Sequence, residues 1–481
     1  MLRGRAWLAA TLALLAPAAP AAAQTFSISD PENVEVAPEA PPPDLAPGQT
    51  STLFRGSWQL QLGLDTGHED DCDDRSCEDV FDLRNRLDLR LQTDVTGTLR
   101  AVVEARFDHL VVGERPEGET FTGVNAERVK GHVETEVREA WLRWRPGALD
   151  ITVGNQVVAW GVLDMASAQD AINPADYRRG LAPGTEPPRI PVFAARLEGR
   201  LGPLALDGVL VPFFEAHRMN LFGSDFSMMP RTGSPGGGPG GAMFQMMRAF
   251  IDESREDEFQ PLLQATEVPS DLPGSATAGL RVGTSLAGVD LHAAYLYGWD
   301  RFPRFEEVSA LESKATYSRM HVLGADATAV LGEVVVRAEA GWTPRRTLYL
   351  EGFEPVDKPT LLSGLGLDWS RDTTVNVSLE GFWFRVLDTG QDERLYLIDR
   401  DVFGVAGGGT VRLLDDDLAL SVFGMYNVSL EDVIVAPQVA WRAADGHELA
   451  ASFQLFEGPE GTVGGMFDSN DQVLLRYTGS F

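Results

Sequence analysis

Charged side chains recur at even-numbered positions in two stretches of the chain, Arg84, Arg86, Asp88 and Arg90, then Arg100, Glu104, Arg106 and Asp108. Glu139, Arg143, Arg337, Glu339 and Glu380 place further charges in later segments. Alternate residues of a β-strand share one face, so each stretch would present its charges as a single stripe. Such stripes can do two things. Acids and bases on neighbouring strands can pair across a wall, or they can form the basic and acidic sides of a constriction that selects solutes by charge and dipole. Both can hold at once. Hydrolytic chemistry has less support. None of His68, His109, His132, His217, His292, His321 and His447 stands in a recognisable nucleophile context, and no Gly-x-Ser-x-Gly elbow is present. No catalytic residue and no cofactor are expected.

The segment 161–190 is the most distinctive loop. It carries Asp164, Asp170, Asn173, Asp176 and Arg178, with turn and rigid-loop signals at Asn173-Pro174 and Pro187-Pro188. These groups either fold inward to narrow a lumen or stitch an outer loop by local hydrogen bonds. A longer loop near 216–273 contains Met219, Met228, Met229, Met243, Met246 and Met247 beside a Gly-rich patch. Methionine suits adaptable apolar packing, as a lid or as filling in a mouth. The acidic run Glu69–Asp74 with Glu78 and Asp79 offers oxygen ligands for calcium but lacks an ordered ligand spacing, so a solvated charge run is the favoured reading and no metal site is assigned. Cys72 and Cys77 are the only cysteines. In an oxidising compartment they are expected to form one disulfide.

The elements that must position these groups read as strands of a membrane barrel. Arg3 and Arg5, the apolar run to Leu15 and small residues to Ala23 have the order of a cleaved secretory signal, residues 1–23. Residues 24–51 are rich in proline and acid and are read as a disordered periplasmic tail. From residue 52 to 481 apolar and polar residues alternate, as in Phe54, Trp58, Leu60, Leu62 and Leu64 against Arg55, Ser57, Gln59 and Gln61. A soluble sandwich would alternate too. The connections distinguish the two. Tight turns near Gly97, Gly147, Gly202, Gly288, Gly332, Asp372, Asp416 and Gly446 alternate with long loops, apart from one short connection at Leu430-Glu431. Short periplasmic turns and long outer loops mark an antiparallel transmembrane barrel of about eighteen strands, about sixteen at the low end. On the last segment Val473, Leu475, Tyr477 and the terminal Phe481 lie on one face, which resembles the signal read by the outer-membrane assembly machinery.

The net charge of −31 leaves nothing to neutralise phosphates, so nucleic acid is excluded as a partner. Outer-membrane lipid and lipopolysaccharide are the expected surroundings. Trp160-Gly161, Asp164 and Asp170-x-x-Asn173-Pro174-x-Asp176 resemble a group of Gram-negative outer-membrane proteins catalogued as a domain of unknown function, the thirteen-oh-two family. Pro212-Phe213-Phe214, Gly223-Ser224-Asp225-Phe226 and Tyr295-x-Tyr297-Gly298-Trp299-Asp300-Arg301-x-Pro303 are similar to its later motifs. The resemblance implies a porin-like channel for small solutes. It also implies an inner-membrane exporter as partner and hydrophobic cargo such as lipids, steroids or hydrocarbons. A plugged structural barrel is the alternative.

Overall fold

The computed structural model describes residues 50–66, 80–114, 128–177, 189–218, 268–270, 272–309, 312–350, 354–371, 374–390, 393, 395, 398–459 and 462–481. The strands are β1 (Ser51–Asp65), β2 (Val80–Thr96), β3 (Leu99–Glu114), β4 (Arg128–Trp144), β5 (Leu149–Gln156), β6 (Val192–Leu201) and β7 (Leu204–Val211). Next come β8 (Thr277–Leu286), β9 (Val289–Trp299), β10 (Arg304–Ser309), β11 (Glu312–Thr316), β12 (Arg319–Leu331), β13 (Val334–Tyr349) and β14 (Pro355–Arg371). The chain ends with β15 (Val375–Val386), β16 (Asp401–Leu413), β17 (Leu418–Asn427), β18 (Asp432–Ala444), β19 (His447–Glu457) and β20 (Gln472–Ser480). Apart from β10 and β11, which form a separate two-stranded sheet, they make one 18-stranded sheet. It closes where β20 pairs with β1, and β9 pairs with β12 across the extra hairpin. The chain is an antiparallel transmembrane β-barrel.

The burial pattern separates this barrel from a sandwich. Leu365, Val133, Val137 and Leu142 are 63%, 59%, 56% and 55% exposed. In a sandwich these side chains would be the core; here they face outward, as lipid contact requires. Outward-facing Trp144, Trp369 and Trp441 stand within a few residues of a tight turn. Tyr295 and Tyr297, and a Trp383–Phe403 stack with centroids 5.9 Å apart, occupy the loop end. These are the aromatic belts of the two interfaces.

The turns are as the sequence reading expects. Leu286 pairs with Val289 around Ala287-Gly288, both with positive φ, which is the hairpin geometry that matches strand twist. The short connection at Leu430-Glu431 is a four-residue turn between paired Asn427 and Asp432, capped by the Asn427 side chain. Two outer loops are shorter than the sequence implies. The strand pair β13–β14 continues to Tyr349↔Pro355, and β10–β11 forms a hairpin where a loop was expected near 300–316. The two cysteines, Cys72 and Cys77, the methionines of the 216–273 loop, Arg178, and residues 1–49 lie outside the described residues.

The seam is where β1 and β20 meet. Gly56 and Phe481 exchange both backbone hydrogen bonds, at 2.8 and 2.9 Å. A side chain at Gly56 would meet the Phe481 ring at 2.4 Å. Trp58 packs edge-on against Tyr477 at 5.4 Å between centroids. Gly56→Leu is therefore expected to destabilise the barrel by about 1–3 kcal/mol, the usual cost of overpacking. Gly97→Leu, at a turn position with open space around it, serves as the control. The check is the urea midpoint of the refolded protein in lipid; equal midpoints for the two variants would mean that the seam tolerates the side chain.

Candidate solute pathway

The charged stripes meet on the inner wall as a ladder. The hairpin β2–β3 pairs Arg86 with Asp108, Asp88 with Arg106, Arg90 with Glu104 and Asp94 with Arg100 in register. Each cross-strand pair is opposite in sign, and the sign alternates between the first three rungs. Arg86 donates to Asp108 through two nitrogens, both at 3.0 Å, and Arg106 Nε donates to Asp88 at 2.7 Å. Arg100 Nε reaches Asp94 at 2.6 Å. Arg90 is shared between Glu104 at 2.7 Å and Glu139 at 3.1 Å. Glu139 reaches it because β4 carries one extra residue against Glu104 of β3. Around the wall Arg143 pairs with Asp150, Arg196 with Asp207, and Arg281 and His292 with Asp326. Bidentate geometry of this kind fixes orientation as well as energy.

On the strands that carry Arg196, Asp207 and Asp326 the inner wall turns apolar toward the loop end. Val192 and Ala194 of β6, Val209 and Val211 of β7, Leu296 of β9, and Met320 and Val322 of β12 are buried with Val158, Trp160 and Ile172 of the β5–β6 loop. A second cluster joins Leu362, Phe382, Phe384, Val386 and Val402 to Ala166 of the same loop. Met165 reaches Ala406 and Phe423. The loop thus lies inside the lumen along the wall from β6 to β17. The wall makes room for it: a side chain at Gly279, Gly324, Gly341 or Gly364 would strike Trp160, Gln169, Ala168 or Leu163 at 2.7 Å or less.

Two carboxylates hold the loop. Glu339 of β13 accepts from the Val162, Leu163 and Gln169 backbone N–H groups at 2.7, 3.2 and 3.0 Å, and from Ser167 Oγ at 2.7 Å. Glu380 of β15 accepts from the Asp164 and Met165 N–H groups, both at 2.8 Å. Arg337 donates to the Val162 carbonyl and to Asp164, and also pairs with Asp368 and Glu380. Gly161, at φ +96, brings the chain close to Glu339; a Cβ there would lie 2.7 Å from its carboxylate. Trp160 Nε1 donates to Asp207 at 2.8 Å on the near wall. A hydrogen bond to a charged group contributes about 1.5–3 kcal/mol, so the clamp offsets part of the entropy lost on ordering the loop, and the apolar contacts must supply the rest.

At the outer end three segments are tied by Arg301, which donates to the carbonyls of Glu215 and Ile172. Burial lowers Arg301 to about 10, which leaves it protonated at neutral pH. Phe302 packs on Tyr177 and His217 at 5.9 and 4.3 Å, and Phe214 packs on Tyr317 at 4.6 Å. Ala175 N–H donates to His217 Nδ1, so the ring proton of the neutral imidazole is on Nε2. Burial, Arg301 and Arg346 hold His217 well below its ordinary range, so it is neutral at pH 7.

A family model described as "Protein of unknown function (DUF1302)" matches residues 80–451. The chain belongs to the DUF1302 family. No curated protein matches it in sequence. Among solved structures it is similar to OccAB1 of Acinetobacter baumannii, at 8% identity over 90% of this chain and 96% of that one, with a TM-score of 0.50. Similar too are OccAB3 of the same organism (12%, 90% and 99%, TM-score 0.48) and a Salmonella typhi OmpF complex with daunomycin (10%, 91% and 99%, TM-score 0.40). These likenesses are of fold.

In this DUF1302 barrel the thirteen charged residues named as lumen candidates fall into two groups by their partners. Arg84, Arg86, Asp88, Arg90, Arg100, Glu104, Arg106, Asp108, Glu139 and Arg143 belong to the paired wall. Arg337, Glu339 and Glu380 are the clamp. Asp164 sits on Arg337, and Asp170 on Arg189 at 2.7 Å. Asn173 is buried and staples the loop, accepting from Val158 N–H and donating to the Gln156 and Ile190 carbonyls. Asp176 is bridged to Arg218. Leu475 and Phe481 point outward from the seam, with Val473 and Tyr477 on the same face. The sequence reading missed Asp94, Asp150, Asp207 and Asp326, the partners of the wall arginines. It also missed His217 and Arg346.

Glu339→Ala would strand four donors at once. Unsatisfied buried donors cost about 1–3 kcal/mol each, and 1.4 kcal/mol is tenfold in protection. Hydrogen exchange of residues 162–169 should accelerate at least about tenfold in this variant, with the strand amides unchanged. Unaltered exchange there would mean that the apolar contacts alone hold the loop.

Proposed function

We propose that the protein is an outer-membrane channel through which small solutes pass between a charged wall and an apolar, loop-covered wall. The observation that carries this is the placement of the β5–β6 loop. It crosses the lumen and covers the β6–β17 wall, while the β2–β3 ladder pairs its charges across its own hairpin. A solute in that space meets fixed charges on one side and hydrocarbon on the other. This favours amphipathic solutes, and it is compatible with the hydrophobic cargo that the family resemblance implies. Export through the signal at residues 1–23, residence in a Gram-negative outer membrane, and outward passage from an inner-membrane exporter belong to the same reading.

The histidines give a hydrolase little support. His292 faces Asp326, His321 and His447 face tyrosine hydroxyls, and His217 accepts a backbone N–H. Among the described residues none of these four has a serine or threonine hydroxyl as a hydrogen-bond partner, as an activated nucleophile would need.

The ladder predicts the ion selectivity. Arg90 faces two carboxylates, and its side chain is 37% exposed against 4% for Arg86 and Arg106. It is the ladder arginine most open to passing ions, and its node carries one excess negative charge. In a planar bilayer with asymmetric KCl the channel should be cation-selective, and Arg90→Gln should move the reversal potential further toward the K⁺ limit. Steady conductance whose selectivity ignores Arg90 would place the ion path elsewhere. No conductance at all would favour a plugged barrel.

A further inference from the structure

A partly enclosed cavity of ≈ 100 Å³ lies between the β5–β6 loop and the inner face of β12–β15. One side is apolar: Met320, Val322, Leu362 and Phe384. The other holds Arg346, His217, Tyr177 and the hydroxyl-bearing Thr343 and Thr360. Arg346 points inward because β13 carries one extra residue between Thr343, paired with Thr360, and Arg346, paired with Lys358. Bulges of this kind commonly re-aim a side chain into a site.

Charge decides what the cavity wants. Its lining carries three arginines, Arg189, Arg301 and Arg346, against two aspartates, Asp170 and Asp300. Arg189 is ion-paired with Asp170 and Arg301 donates to two carbonyls, although each keeps one buried nitrogen without a hydrogen-bond partner. Burial pushes the Asp300 carboxyl up, which reduces its capacity to balance a cation. Arg346 is near enough to Asp300 to act on its charge, but the two form no ion pair, so of the three arginines Arg346 is the least compensated. Its Nε is buried without a hydrogen-bond partner, and its guanidinium has no ion pair among the described residues. His217 adds an Nε2–H donor. An unpaired guanidinium beside neutral donors and an apolar wall is complementary to one negative charge on a small hydrocarbon body.

We propose that this cavity binds a short-chain organic carboxylate, with its carboxylate on Arg346 and its chain against Met320, Leu362 and Phe384. Size limits the chain. A cavity of about 150 Å³ admits benzene, so one of this volume suits an aliphatic acid of butyrate size. A phosphate dianion would call for a second free cation. The proposal rests on the channel reading, because the cavity borders the lumen through the β5–β6 loop.

The test is calorimetric titration of the full-length refolded protein in detergent with sodium butyrate and with butyramide, its neutral counterpart. Butyrate is expected to bind at least tenfold more tightly than butyramide. Arg346→Gln should remove that preference, and Arg346→Lys should restore part of it. Arg345→Gln, at a 62% exposed side chain paired with Asp357, should leave binding unchanged. Equal binding of the two ligands, equal binding by wild type and Arg346→Gln, or no binding at all would overturn the proposal. KCl conductance measured on the same preparations separates the two readings. Conductance without butyrate binding removes the site and keeps the channel; butyrate binding without conductance keeps the site and removes the channel.

Discussion

A backbone N–H or C=O left unpaired in hydrocarbon costs several kcal/mol, and everything else in this molecule follows from avoiding that. A sheet can meet the condition only by closing on itself. The closure joins the first strand to the last, so these two strands must meet in register. Gly56 and Phe481 do so with two backbone bonds and a ring seated where a side chain is missing. The outward alternation of leucine, valine and phenylalanine is then a lipid face, and the inward residues need no hydrophobicity at all. That freedom is what allows Arg86, Asp88, Arg106 and Asp108 to sit opposite one another inside.

Closing eighteen strands creates a second problem. A barrel of this size is too wide for wall side chains to fill. The β5–β6 loop enters the space, and a loop inside a protein must find partners for its own backbone. Glu339 and Glu380 supply them. The relation is reciprocal: the loop N–H groups satisfy carboxylates that would otherwise be buried charges, and the carboxylates satisfy donors that would otherwise be orphaned. Removing either side leaves the other exposed to the full desolvation penalty.

Much of this was legible in the sequence, and physical distance along the chain explains the rest. Strand period and connection length are local, so the eighteen strands and their turns could be read directly. The ladder was also within reach. Positions 86 and 108, 88 and 106, 90 and 104, and 94 and 100 lie at equal distances from Gly97, so the tight turn dictates their pairing. The clamp was not. Glu339 and Glu380 meet residues 162–169 only after the barrel has closed, and alternation shows that they face inward without showing what waits there. Arg346 was hidden for a different reason: a one-residue bulge reverses the inside-outside count, and only Pro344, a residue that sheets confine to edges and bulges, signals it.

The two halves of the inner wall act together. Loop residues Trp160, Leu163, Met165 and Ile172 place low-dielectric matter along one side of the lumen. Field lines from the ladder are focused into the remaining water, so each charge there acts more strongly than it would in an open pore. The paired rungs largely cancel at a distance, which leaves the uneven positions to set the field. These are Arg90 between two carboxylates and Arg346, which has no ion pair among the described residues. In the proposed channel the loop therefore narrows the path, and by excluding water it makes a few unbalanced charges decisive for what could pass.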